Sequence, residues 1–156
     1  MKKILMGGLA SLMLLGAASA HAEGLTAEEQ IKTRKAGYSF MAWNMGKIKA
    51  QVIDGSVPYN ASQVQAAANA IEAIANSGMS ALYGPDTAQK QGEQTTRLKP
   101  EFFNNLEEAG RLGRNLSLAT VDLQAAAQTA DPEAIKKAFG KVGQACKACH
   151  DKFREE

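Results

Sequence analysis

The chain has 156 residues, a formal net charge of +2, and only two Cys, two His and one Trp. That length suits one domain, two cysteines exclude a disulfide scaffold, and the weak charge excludes the basic stripe of a dedicated nucleic-acid binder. Charged residues are 22% and aromatics 6%, and alanine is abundant; this favours a folded helical chain over a polyelectrolyte or a sheet.

The start reads as an address. Met1, Lys2 and Lys3 precede a stretch from Ile4 to Ala20 without a charge. Its apolar part, centred on Leu12–Leu15, is too short and too rich in small residues for a membrane span. The sequence Ala18-Ser19-Ala20-His21-Ala22 satisfies the small-x-small cleavage rule twice. A Sec-type signal peptide cut after Ala20 or, preferred here, after Ala22 assigns residues 1–22 to export. Residues 23–156 are then a mature periplasmic domain free of the membrane. Lys2 and Lys3 depart with the signal, so the 18 basic residues fall to 16 and balance the 16 acidic ones. His21 departs too, and His150 becomes the only histidine.

The mature chain predicts four helices. Thr26 and Glu29 form a capping box. Ile31, Tyr38, Met41, Met45, Ile48 and Val52 then recur at steps of three and four, the stripe of a packed helix. Gly55 and Pro58 end it. Asn60, with Gln63, caps a second helix whose face is Val64, Ala68, Ile71 and Ala75, and Gly78 stops it. Residues 79–99 form a long polar connection containing the turn Gly84-Pro85-Asp86; loops of this length inside a domain usually have a task or are disordered. Pro100 suits the first position of a third helix, with Phe102, Leu106, Ala109, Gly113, Leu116 and Leu123 as its stripe. Asp131-Pro132-Glu133 starts a fourth, carrying Ile135, Phe139, Val142, Cys146, Cys149, His150 and Phe153 on its face. No segment alternates with period two. The expected fold class is all-α, an antiparallel four-helix bundle.

The chemistry lies in Cys146-Lys147-Ala148-Cys149-His150, a C-x-x-C-H motif of the kind that attaches c-type haem. On a helix the spacings i, i+3 and i, i+4 put both thiols and the imidazole on one face. Two thioethers can then form to one porphyrin edge while the imidazole reaches the iron. Three other readings compete. Thiol–disulfide exchange is permitted by export, but that motif normally opens a helix after a strand. Zinc would lack a fourth ligand. Inert buried cysteines would require chance to gather both Cys and the sole mature His into five residues.

Opposite His150, no histidine is available. Met41, Met45 and Met79 keep a Met-ligated carrier open. Arg34 sits where the stripe of the first helix wants an apolar residue, so its charge needs a partner. Haem propionates would supply one to its forked guanidinium; the alternative is a side chain snorkelling from the bundle end. Lys35 could touch the same edge or be solvated. Tyr38, one turn on, would stand over the porphyrin, or be a core tyrosine with a surface hydroxyl.

The motif near the end of an exported helical bundle resembles cytochrome c′, the class II c-type cytochromes. The matching elements are Arg34 with Tyr38 and Met41, Pro58-Tyr59, Tyr83-Gly84-Pro85-x-Thr87, and Ala138-Phe139-Gly140-x-Val142-Gly143-x-x-Cys146-Lys147-x-Cys149-His150. The resemblance implies one covalent haem c per chain on Cys146 and Cys149, with a pentacoordinate iron on His150 that binds nitric oxide (NO) and carbon monoxide (CO). It also implies a homodimer built on the first two helices. In related hexacoordinate cytochromes c-556 the residue four after the arginine resembles a Met ligand. Tyr38 holds that position here, so the distal site is expected to be open to gas but crowded. By the same resemblance Arg154 would act near the proximal face and Thr87 at the propionate edge; Arg154 could equally be a cation complementing a helix C-terminus. The expected function is gas binding without enzymatic turnover, with electron transfer to a periplasmic redox partner as a further or alternative role.

Overall fold

The structure is a computed structural model, and it describes residues 24–156; the export signal expected at 1–22 lies outside them. Four helices form the bundle: α1 (Ala27–Ile48), α2 (Ala61–Ala75), α3 (Leu106–Gln128) and α4 (Pro132–Phe153). No helix among the described residues is long and apolar enough to cross a membrane.

Helix α1 starts where expected. Thr26 accepts from the Glu29 amide, and the Glu29 carboxylate accepts from the Thr26 amide at 2.9 Å. Thr26→Ala is expected to cost about 1 kcal/mol of stability, read as a lower urea midpoint at unchanged slope. The end of α1 differs from the expectation of a plain stop at Gly55. Residues Lys49–Ile53 widen into a π turn. Buried within it, Gln51 accepts from the Asn60 amide at 2.8 Å and donates to Gln63. The side chain at the end of α1 thus fixes the start of α2, where Asn60 also accepts from the Gln63 amide at 3.0 Å. Gly55 then turns the chain with φ +61°, a conformation that glycine adopts without steric cost.

The core joins Ile48, Val64, Ile71, Leu123, Ile135 and Val142, all fully buried. The third helix is set differently from the expected stripe. Pro100 opens a 3-10 turn, Pro100–Asn104, and Asn105 breaks the path before α3 begins. The break puts Leu106 at the first helical position and outside the core, while Ala109, Leu116 and Leu123 of the expected stripe pack inward. Leu106, expected inside, is 59% exposed, while Leu112, Ala119 and Thr120 turn inward beside Leu123. Phe102, on the 3-10 turn, forms a second small core with Leu112 and Phe153.

Helix α1 packs on α2, α2 on α3 and α3 on α4. Helix α4 meets the first hairpin mainly at the π turn. Towards the other end α1 and α4 part, and the long connection crosses the gap. That connection is ordered as two 3-10 turns, Met79–Leu82 and Pro85–Ala88, and a tight turn at Gln91–Gln94. Its last part pairs with the end of α4: the Lys99 amide donates to the Phe153 carbonyl at 2.9 Å and the Glu155 amide to the Arg97 carbonyl at 2.8 Å.

Candidate functional site

The gap between α1 and α4 holds the motif. Asp131 starts α4 by accepting from the Glu133 amide at 3.0 Å, with Pro132 at the first helical position. The helix then runs unbroken to Phe153, so Cys146, Cys149 and His150 fall on one face. Both cysteines are free and half-buried. Burial pushes both thiols above their ordinary value, and for Cys149 the neighbouring Cys146 adds to this. Thiol–disulfide exchange needs the opposite, a stabilised thiolate. No cluster of three or more metal-ligating side chains of the zinc type occurs among the described residues.

Two adjoining cavities fill the gap. One, of ≈ 540 Å³, is lined by Arg34, Lys35, Tyr38, Cys149, His150 and Arg154, together with Tyr83, Thr96, Arg97 and Phe102. The other, of ≈ 870 Å³, lies deeper between the helices. Tyr38, Met41, Met45, Met79, Leu112, Phe139, Cys146, Cys149 and His150 are on its wall. Tyr38, Tyr83, Phe102, Cys149 and His150 belong to both.

Seven of the eight residues singled out from the sequence therefore line these two adjoining cavities, six the first and Cys146 the second. Thr87 does not. It is fully buried beneath the long connection, where its hydroxyl donates to the Gly84 carbonyl at 2.9 Å and accepts from Arg34. Thr87 backs Arg34, the residue through which it reaches the cavity wall.

Arg34 is 5% exposed, which rules out snorkelling. Its Nη1 donates to the Leu82 carbonyl and the Thr87 hydroxyl, each at 3.0 Å. Its Nη2 donates to the Thr87 carbonyl at 3.1 Å and the Thr96 hydroxyl at 3.0 Å. The guanidinium also lies 4.4 Å from the centre of the Tyr83 ring. All of these partners are neutral, and burial draws the guanidinium below its ordinary value. Arg34 thus clamps the connection to α1. Gln30 and Glu28 extend the clamp by accepting from the Gly84 and Glu93 amides. Lys35 is exposed and reaches Gln94 at 3.4 Å. Arg154, also exposed, caps α4 through its amide, which donates to the His150 carbonyl at 3.0 Å.

Tyr38 is held by a residue that the sequence did not single out as part of a site. The Tyr83 hydroxyl donates to the Tyr38 hydroxyl at 3.1 Å. The Tyr83 ring stacks on Phe102 at 4.8 Å between centroids. Burial raises both phenols above the ordinary tyrosine range, so the pair is neutral. Its sequence signal was a large ring inside an otherwise polar connection, beside Gly84-Pro85.

A family profile for cytochrome C′ matches residues 29–154. The chain belongs to the cytochrome c′ family. A curated cytochrome c′ of Allochromatium vinosum is 57% identical over 155 residues, covering 99% of both proteins. A solved cytochrome c′ described by its unusual ligand-controlled dimer dissociation is 56% identical, with a TM-score of 0.81 over 85% of this chain and 99% of that one. The cytochrome c′ of Alcaligenes xylosoxidans has been solved with carbon monoxide bound to one variant (29% identity, TM-score 0.74, 86% of this chain and 100% of that one) and with nitric oxide bound to another (28%, 0.73, 84% and 97%).

As a cytochrome c′, the protein is a c-type haem protein. Its residues fit such a group. Protonated thiols one turn apart, an imidazole on the same face, a largely apolar chamber and a half-open mouth are what attachment to one ring edge requires.

Proposed function

We propose that this cytochrome c′ carries one haem c, joined to Cys146 and Cys149 and ligated by His150, and binds NO and CO on the side of Tyr38. The observation that carries this reading is that His150 and Tyr38, from opposite walls, line the same cavity. When bound, the group would supply an iron able to bind gas and a one-electron couple. His150 would hold one face. Tyr38 would cover the other with a neutral phenol, a weak iron ligand in that form, and keep large polar molecules out. The apolar chamber would admit a diatomic gas, which needs no hydrogen-bond donor. Lys35 and Arg154 at the mouth, and Arg34 behind the loop, would supply positive potential towards propionates.

The signal at residues 1–22 supports a periplasmic location. A homodimer on the first two helices fits Phe40 and Trp43, which stand exposed on α1 with rings 5.4 Å apart. The role is binding rather than catalysis: His150 is the only mature histidine, so none remains for distal acid–base work. Met41, Met45 and Met79 on the wall of the deeper cavity favour one alternative, a Met-ligated electron carrier of the c-556 type passing electrons to a periplasmic partner.

One measurement separates the two. The ferrous protein is expected to change its absorption spectrum on adding CO, and denatured protein to retain haem by mass. A low-spin ferric spectrum with Met ligation and no CO response would establish the alternative. Tyr38→Ala is expected to raise the CO association rate on the order of tenfold, equivalent to about 1.4 kcal/mol of barrier. An unchanged rate would show that Tyr38 does not restrict access.

A further inference from the structure

If gas binds on the side of Tyr38, which lines both cavities, what holds Tyr38 governs access. We infer that Tyr83 is a positioning residue, a fixed post to which the Tyr38 hydroxyl is latched over the binding face. The inference rests on the reading that gas binds on the side of Tyr38.

The two rings are built differently. Tyr38 lies on the wall of both cavities, and among the described residues its only side-chain hydrogen bond is to Tyr83. Tyr83 is confined on both faces. Phe102 stacks on it at 4.8 Å, 18° from parallel, and the Arg34 guanidinium stands 4.4 Å from its centroid. Phe102 is in turn packed edge-on against Phe153 at 5.3 Å. Arg34 is committed to four acceptors in the connection. Moving Tyr83 would disturb all of these, whereas moving Tyr38 breaks one hydrogen bond. The weak link is therefore the Tyr38–Tyr83 contact, and Tyr38 is the part that swings.

The latch has a kinetic signature. The hydrogen bond exists in the closed, unliganded protein and is broken when a ligand occupies the space. It lowers the fraction of molecules ready to bind, which slows association and weakens apparent affinity by the same factor. Dissociation starts from the open arrangement and is left alone. A residue that merely stabilised the fold would not divide its effect in this way.

Tyr83→Phe keeps the stacking and the cation–π contact and removes only the hydroxyl. CO association and dissociation would be followed by flash photolysis and ligand exchange on the ferrous holoproteins of the wild type, Tyr83→Phe, Tyr38→Phe and the double variant. Association is expected to rise about 2- to 10-fold in each single variant, the range commanded by one neutral hydrogen bond, with dissociation unchanged. The double variant is expected to be no faster than the faster single one, because both remove the same bond. A second readout uses the unliganded ferric protein: urea midpoints of the single variants are expected to fall, and the double variant to fall by less than their sum. Unchanged association in Tyr83→Phe, or effects that add in the double variant, would overturn the latch while leaving gas binding intact. A wild-type protein that fails to bind CO at all would instead overturn the reading on which the latch rests.

Discussion

Arg34→Met is expected to destabilise the protein by roughly 2–5 kcal/mol and to loosen residues 79–99 before the rest unfolds. The methionine fills much the same volume but donates nothing. The Leu82 and Thr87 carbonyls then lose their partner in a region where water replaces it poorly. Each buried acceptor left unmade costs about 1–3 kcal/mol. The Thr87 and Thr96 hydroxyls can rotate towards other groups, so they add less. Removing a buried charge returns part of its desolvation cost, which caps the loss. Urea unfolding measures the total, and limited proteolysis should cut the variant within 79–99 at protease levels that spare the wild type. Arg34→Lys is not expected to rescue it, because an ammonium cannot span two pairs of acceptors as the planar fork does. Equal stability of Arg34→Met and wild type would mean that the connection holds its shape through Gln30 and Glu28 alone.

Phe153→Ala is expected to cost about 3–5 kcal/mol, the range for emptying a buried aromatic site. Phe153 is 2% exposed and joins Phe102 and Leu112 in the smaller core. Its carbonyl also accepts from the Lys99 amide. The loss therefore reaches past the cavity it leaves: the Phe102 ring loses an edge contact, and Phe102 is what Tyr83 stacks on. Hydrogen exchange should show faster opening at the Lys99 and Glu155 amides, together with a lower urea midpoint. Phe153→Leu should recover more than half of the stability, since it restores most of the volume. A small, purely local effect would show that the pairing of 97–99 with the end of α4 stands without the ring.

What was legible in the sequence follows from how local the information was. The caps at Thr26, Asn60 and Asp131 depend on residues two or three apart, and each formed as read. The three-and-four spacing of Ile31, Met41 and Ile48 required only helical geometry. The motif at Cys146–His150 carries its own spacing, so its common face needed no knowledge of the fold. The start of α3 was not legible, because Asn105 interrupts a stripe that looks continuous from Phe102 to Leu123, whereas Ala109, Leu116 and Leu123 pack inward as read. Leu106 was assigned to the core on that continuity and stands in solvent. The need of Arg34 for partners was visible in one buried charge on an apolar stripe, but its acceptors within the chain were not, because they are two carbonyls and two threonine hydroxyls of a connection 48 to 62 residues away. Tyr83 was hidden in the same way: its role comes from Tyr38, 45 residues earlier.

The parting of α1 and α4 has a consequence for how the protein reports on itself. The α1 and α4 walls of the two cavities come from residues 34–49 and 139–154, nearly the two ends of the described chain, and the long connection and α3 supply most of the rest, with Tyr83, Phe102 and Leu112 among them. Completing them depends on α3 being in place with its own lining residues, and on the long connection being fastened across the gap. No fragment of the chain contains both walls, so no partly folded fragment can present the binding space. A spectroscopic signal from that space is thus a gauge of the whole bundle, lost with global unfolding rather than with the fraying of one element. Any ligand held there would stabilise all four helices together by mass action.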